Sequence, residues 1–173
     1  MKTFGVKNIV LTAMLIALNY VATAFIKIPI PLGYANFGNA ILFVAVLFFG
    51  TKKGLLAGAV GSGLADLLSP YAVWTIATIL VKIGIALAVG LIQKKQGASF
   101  KLSGVSTFLA VFSGGCVHVL GYVLSGAILY GGFAAGISSA PALMIEAVVN
   151  IVVFYLLANL LITVNIKRVM DEK

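Results

Sequence analysis

Six apolar runs, the second and third of them short, separated by short breaks, limit what this chain can become. Their expected helical spans cover residues 8–26, 37–50, 54–68, 73–92, 104–129 and 139–164. Runs of this length and number exceed the needs of a soluble core and suit a bundle of membrane-crossing helices at about 20 residues per span. The breaks are chemically distinct. Pro29 and Pro31 cannot continue a helix, Thr51-Lys52-Lys53-Gly54 interrupts the next run, and Ser69-Pro70 ends the third. The polar stretch QKKQGASFK separates the fourth and fifth, and GGFAAG (131–136) is expected to be a turn before the sixth. The expectation is an all-α, single-domain, six-helix membrane bundle over residues 1–173.

Composition agrees: only 9% of residues are charged and 62% are hydrophobic, against about 25% charged in soluble proteins. The net charge of +8 would suit nucleic acid, but the basic residues lie in the breaks rather than on a face with stacking aromatics. Alternating the breaks puts Lys2, Lys7, Lys52, Lys53, Lys94, Lys95, Lys101, Lys167, Arg168 and Lys173 on one side and Lys27 alone on the other. The positive-inside rule then places both termini in the cytoplasm. Ala22-Thr23-Ala24 after an apolar run resembles a signal-peptide cleavage site, but Asn19 and Tyr20 interrupt that run, so a retained first helix is expected. Cys116, the single cysteine, lies within an apolar run and is expected to be a small packing residue.

Ionisable groups inside such runs are costly and mark function by default. There are four: Asp66, Lys82, His118 and Glu146. Helical rise puts Asp66 ~4 Å, Lys82 and Glu146 ~10–14 Å and His118 ~16 Å below the outer ends of their helices. All crowd toward one half of the membrane. Asn19, Tyr20, Tyr34, Asn36, Asn39, Tyr71 and Trp74 fall in the same half. Tyr122 shares a helix face with His118, and Asn150 with Glu146. Together they describe an outward-opening small-molecule pocket with aromatic walls and a few directed polar groups. Each has a plainer role available. Lys82 and Glu146 could neutralise each other, Asp66 could hold the Ser69-Pro70 turn, His118 could be a satisfied core histidine, and Tyr71 and Trp74 could anchor at the interface. Asp66 and Tyr71 are assigned to the pocket's rim, with Asp66 fixing the turn beside Tyr71 and Trp74.

Two small-residue stripes run along the third helix: Gly54, Gly58, Ser62 and Asp66, and Ala57, Gly61 and Ala65. They are expected to permit close internal packing. Ala13 and Ala17 form a further pair on the first helix. There is no nucleotide-binding GxxxxGK[ST], no HExxH, no GxSxG in a strand–turn–helix setting and no Cys/His metal spacing. No catalytic residue, metal site or cofactor is expected in this chain.

Six short helices, Ala13-x-x-x-Ala17, the outer loop IPIPLGYANFGN and the stretch GSGLADLLSPY resemble the substrate-binding S components of energy-coupling factor (ECF) transporters, ABC-type importers of vitamins. The likeness spans nearly the whole chain and is most specific over residues 28–82. It implies a high-affinity vitamin receptor in the bacterial cell membrane. It also implies partners: a transmembrane coupling subunit and two ATPases, with ATP used by those partners and no nucleic acid involved. Ala13 and Ala17 match the motif that meets the coupling subunit. His118 and Asn150 lie on the helices where relatives place ligand contacts. Gly38-Asn39 departs from the Gly-Asp of many relatives.

The subgroup resembled takes hydroxymethylpyrimidine or pyridoxine, with pantothenate, whose carboxylate Lys82 would suit, as the main competitor. The expected substrate-binding residues are Tyr34, Asn36, Asn39, Trp74, Lys82, His118, Tyr122, Glu146 and Asn150. A self-sufficient proton-coupled carrier with Asp66, His118 and Glu146 as a relay is the alternative, and a membrane enzyme is a weaker third.

Overall fold

The computed structural model describes residues 5–95 and 101–164. Lys2, Lys167, Arg168, Lys173 and the side chain of Lys95, all counted in the charge asymmetry, lie outside the described residues, as does most of the 93–101 loop. The helices fall close to the expected spans. They are α1 (Val6–Ala24), α2 (Gly38–Phe49), α3 (Thr51–Leu67), α4 (Thr75–Lys95, preceded by a 3-10 turn, Ala72–Trp74), α5 (Val105–Leu129), α6 (Phe133–Ser138) and α7 (Ala140–Thr163). Among the described residues, four helical segments are long and apolar enough to cross a membrane: Val6–Ala24, Ala72–Lys94, Val105–Leu129 and Ala140–Thr163.

Three connections differ from expectation. Residues 27–36 are not irregular loop but carry a two-stranded antiparallel ribbon. Its strands are β1 (Ile28–Ile30) and β2 (Gly33–Ala35), with Pro29 opposite Tyr34. Three-residue strands are too short to show a periodicity of two. The break between α2 and α3 is Gly50 alone, at φ 98°. Lys52 and Lys53 already belong to the first turn of α3, because one glycine in the left-handed region suffices to reverse the chain. The stretch GGFAAG turns only at Gly131 (φ 75°) and then begins α6. That short helix folds back on α5 so closely that a Cβ on Gly136 would strike the Val123 carbonyl.

Helix α2 is the axis of the bundle. Its residues Gly38–Ala40 and Leu42–Leu47 are all buried, as expected of a helix apolar on every face. The small residues of α3 are what let its neighbours close in. Gly54 lies against the backbone of Val46, Gly58 against Leu42, and Gly61 against the Ile16 carbonyl and the Tyr20 amide of α1. The stripes therefore serve internal packing. Leu56, Leu80, Leu91, Phe112, Leu120, Leu124, Val148, Val152, Leu156 and Leu160 point outward and are exposed. An apolar belt of this kind fits hydrocarbon rather than water as the surrounding solvent. Cys116 joins that outer surface rather than packing inside, because the buried glycines Gly114 and Gly115 already provide the close face of α5.

The two ends of the bundle differ. At one, Gln93 of α4 donates to the Leu47 carbonyl of α2 (2.9 Å), and Thr51 fills the space above Gly90. Lys52, Lys53 and Lys94 lie at this end. Next to it a dry core of Phe43, Val46, Leu47, Ile85, Val89, Val111 and Phe154 fills the bundle. The other end carries the ribbon, the 3-10 turn and α6.

Candidate ligand-binding site

Beneath the ribbon lies a cavity with about 500 Å³ of empty space, open solvent included. The ribbon, the 3-10 turn and helices α1, α3, α4, α5 and α7 contribute. Ile30, Leu32, Gly33 and Tyr34 come from the ribbon, Thr23 from α1, and Ser62 and Asp66 from α3. Tyr71, Trp74, Thr78 and Lys82 come from the turn and α4, His118 and Tyr122 from α5, and Ser139, Leu143 and Glu146 from the start of α7. Asn36 completes the lining. The apolar core of Phe43, Ile85, Val89 and Phe154 lies below it.

Two hydrogen-bonded chains cross it. In the first, Lys82 Nζ donates to Asn39 Oδ1 (2.6 Å). Asn39 Nδ2 in turn meets His118 Nδ1 (3.0 Å). His118 Nε2 stands 3.4 Å from Glu146 Oε2, a close approach without hydrogen-bond alignment. Glu146 Oε1 accepts from the Asn36 amide (3.0 Å). Lys82 is wholly buried and His118 and Glu146 nearly so, so each needs such partners. The direct Lys82–Glu146 pair considered from sequence is not formed; Glu146 instead faces His118.

In the second chain, Tyr122 Oη donates to Thr78 Oγ1 (3.1 Å). Thr78 and Tyr34 both donate to the Asp66 carboxylate, each at 2.5 Å. Burial first, then the Asp66 hydrogen bond, hold the Tyr34 hydroxyl far above the ordinary phenol range, so it remains a donor. The role expected of Asp66 in the Ser69-Pro70 turn is corrected here. Its backbone carbonyl, not its carboxylate, accepts from Ser69 Oγ (2.9 Å), and Ser69 Oγ accepts from the Tyr71 amide. The carboxylate turns inward, where two hydroxyls satisfy it better than a loop amide would.

Aromatic rings form the walls. Tyr34 and Tyr71 pack at 4.7 Å between centroids, with Lys27 Nζ 4.5 Å above the Tyr34 ring. Trp74 packs against both Tyr122 and Tyr130 at 5.9 Å, and His118 against Tyr122 at 5.0 Å. Of the expected site residues, Tyr34, Asn36, Asp66, Tyr71, Trp74, Lys82, His118, Tyr122 and Glu146 line the cavity. Asn39 and Asn150 stand behind it. Asn150 accepts from the Ala40 amide (2.8 Å) and donates to the Asn36 and Glu146 carbonyls, pinning α7 to the start of α2. Asn19 does the same from α1, donating to the Gly38 carbonyl (2.8 Å) and accepting from Ser62. Ala13 and Ala17 are far from this end, exposed on α1 beside Val10, Met14 and Leu18.

Sequence reasoning missed Thr23, Ile30, Leu32, Gly33, Ser62, Thr78, Ser139 and Leu143 as lining residues. Three of the cavity's polar atoms, Trp74 Nε1, His118 Nε2 and Ser139 Oγ, are buried with no hydrogen-bond partner among the described residues. Buried polar atoms are normally satisfied, so these three are available to a ligand. No cluster of metal-ligating side chains occurs among the described residues.

A cavity that holds buried charged side chains between aromatic walls, inside a bundle of apolar helices, is the architecture of a membrane-embedded binding subunit. The family described as ECF-type riboflavin transporter, S component, matches residues 3–163. The chain belongs to this family: it is an S component, the substrate-binding subunit of a vitamin transporter and not an enzyme. It is also 36% identical over 113 residues to an uncharacterized protein in gap 3′ region from Pyrococcus woesei, covering 64% of this chain and 72% of that one.

Proposed function

We propose that this S component binds a small, single-ring, hydroxylated vitamin or precursor of the pyridoxine or hydroxymethylpyrimidine type and delivers it to an ECF module for import. The observation that carries this is the convergence of Lys82, His118, Glu146 and Asp66 on one cavity walled by Tyr34, Tyr71, Trp74 and Tyr122. The rings offer stacking surfaces, and the polar groups offer donors and acceptors to ring nitrogens and hydroxymethyl arms. Pantothenate is disfavoured because Lys82 shares the cavity with two carboxylates.

In this reading the chain makes six membrane passes, with α2 and α3 as short inner spans and both termini in the cytoplasm. The lysine-bearing end faces the cytosol in the cell membrane, and the cavity opens outward. The exposed Ala13 and Ala17 dock the coupling subunit, and the two partner ATPases supply the energy; this chain needs no cofactor.

Native mass spectrometry of the gently purified protein tests the ligand assignment. The expected result is a co-purifying species with the mass of pyridoxine or hydroxymethylpyrimidine, lost in Glu146→Ala. Pantothenate or riboflavin held in its place would refute the ligand class.

A further inference from the structure

The charge within the cavity is unbalanced. Asp66 and Glu146 bring two carboxylates, both buried, and Lys82 brings one ammonium. His118 does not make up the difference. Because Lys82 donates to Asn39 Oδ1, the amide nitrogen of Asn39 is the group that meets His118 Nδ1. An amide nitrogen can only donate, so Nδ1 accepts and the ring carries its single hydrogen on Nε2. A proton on Nδ1 would require the amide to flip, turning its own N–H groups toward the Lys82 ammonium. The amide orientation follows from this network.

The remaining groups facing the cavity are neutral: the hydroxyls of Tyr34, Tyr71, Thr78, Tyr122 and Ser139, and the side chains of Thr23, Asn36 and Ser62. Lys27 sits at the mouth, 4.5 and 5.6 Å from the Tyr34 and Tyr71 rings. It is only partly buried, where solvent and salt screen its charge. The interior thus holds one negative charge in excess.

We propose that the cavity takes in one positive charge with its ligand, selecting heterocycles bound with a protonated ring nitrogen and excluding vitamers that carry a carboxylate or phosphate. This rests on the vitamin-site reading above. A ligand that fills the cavity removes the water that solvates the excess charge, and an uncompensated buried charge is costly. A ligand of no net charge therefore takes one proton from solvent on entering. A phosphate ester would add negative charge to a site already negative. The contacts fit. Glu146 Oε2 has no aligned hydrogen-bond donor and can accept from a ring N–H. Lys82 has one hydrogen bond for its three N–H groups and can donate to a ring hydroxyl.

Titration calorimetry tests this on the full chain in lipid nanodiscs, in two buffers of different ionisation enthalpy. The probes are pyridoxine, hydroxymethylpyrimidine, pyridoxine 5′-phosphate, pantothenate and riboflavin. The expected result is tightest binding of pyridoxine or hydroxymethylpyrimidine, with uptake of about one proton per ligand and affinity rising about tenfold per unit fall in pH above neutrality. The two anionic probes should bind at least about a hundredfold more weakly. In Glu146→Gln the proton count should fall to about zero, which a merely structural role for Glu146 would not produce.

Tight binding without proton uptake, or preference for an anionic probe or riboflavin, overturns the inference and leaves the S-component assignment standing. No binding of any probe overturns the vitamin-site reading and this inference with it.

Discussion

Lys82→Met is expected to lower ligand affinity by about a hundredfold while the protein still inserts and folds. The ammonium is wholly buried, and Asn39 is its one hydrogen-bond partner among the described residues, so the rest of its donor capacity faces the cavity. Losing a charge-assisted hydrogen bond costs about 1.5–3 kcal/mol, and tenfold in affinity corresponds to about 1.4 kcal/mol. Methionine, unbranched and one atom shorter, fills most of the space of the side chain. Asn150→Ala is expected to act differently. All the bonds of Asn150 run to backbone groups: the Ala40 amide of α2, the Asn36 carbonyl just before α2 and the Glu146 carbonyl of α7. Its removal should cost about 1–3 kcal/mol of stability, seen as a lower thermal midpoint in detergent, with affinity falling only as Asn36 and Glu146 lose their positions. Full affinity in Lys82→Met would remove the ammonium from the site.

Ala17→Trp is expected to abolish vitamin uptake in cells carrying the ECF module, with ligand binding by the purified chain unchanged. Ala17 is exposed on α1 and contributes nothing to the cavity, whose only α1 residue is Thr23. The opposite face of α1, through Leu15, Asn19 and Thr23, is buried. A bulky ring at Ala17 thus leaves the fold alone and blocks only a helix approaching from outside, as small-residue pairs permit. Normal uptake by this variant would show that the face is simply lipid-exposed, and lost binding would show that it has some other role.

The charged members of the cavity were legible because hydrocarbon makes them conspicuous. Asp66, Lys82, His118 and Glu146 stand out in any apolar run, and their shared depth is simple arithmetic on helical rise. Thr23, Ser62, Thr78 and Ser139 were not. Hydroxyl residues are common at membrane helix contacts, and nothing local separates Thr78, which holds Asp66, from Thr75, which does not. The inward turn of Asp66 was missed for a related reason. Its partners Tyr34 and Thr78 lie 32 and 12 residues away, whereas the Ser69-Pro70 turn is adjacent and draws the eye to a local role. Asn39 and Asn150 were expected to bind substrate; both are buried but stand behind the lining, because composition cannot tell a group facing a cavity from one placed behind it. Helix boundaries were legible because Pro and Gly mark them. The ribbon at 28–35 and the short α6 were not, since elements of three to six residues complete no recognisable period.

A receptor of this kind needs a cavity reached from the ribbon end alone, with the Phe43–Phe154 core sealing the other. Ser139 lines that cavity, and the native Cys116 is exposed on the outer surface. Ser139→Cys in a Cys116→Ala background can therefore be probed with a membrane-impermeant thiol reagent in right-side-out and inverted vesicles. Labelling from the outer face only, suppressed by saturating pyridoxine or hydroxymethylpyrimidine, is the predicted result. Labelling from the cytoplasmic face, or equal labelling from both, would contradict it, since it would mean a path through the bundle in place of a closed receptor.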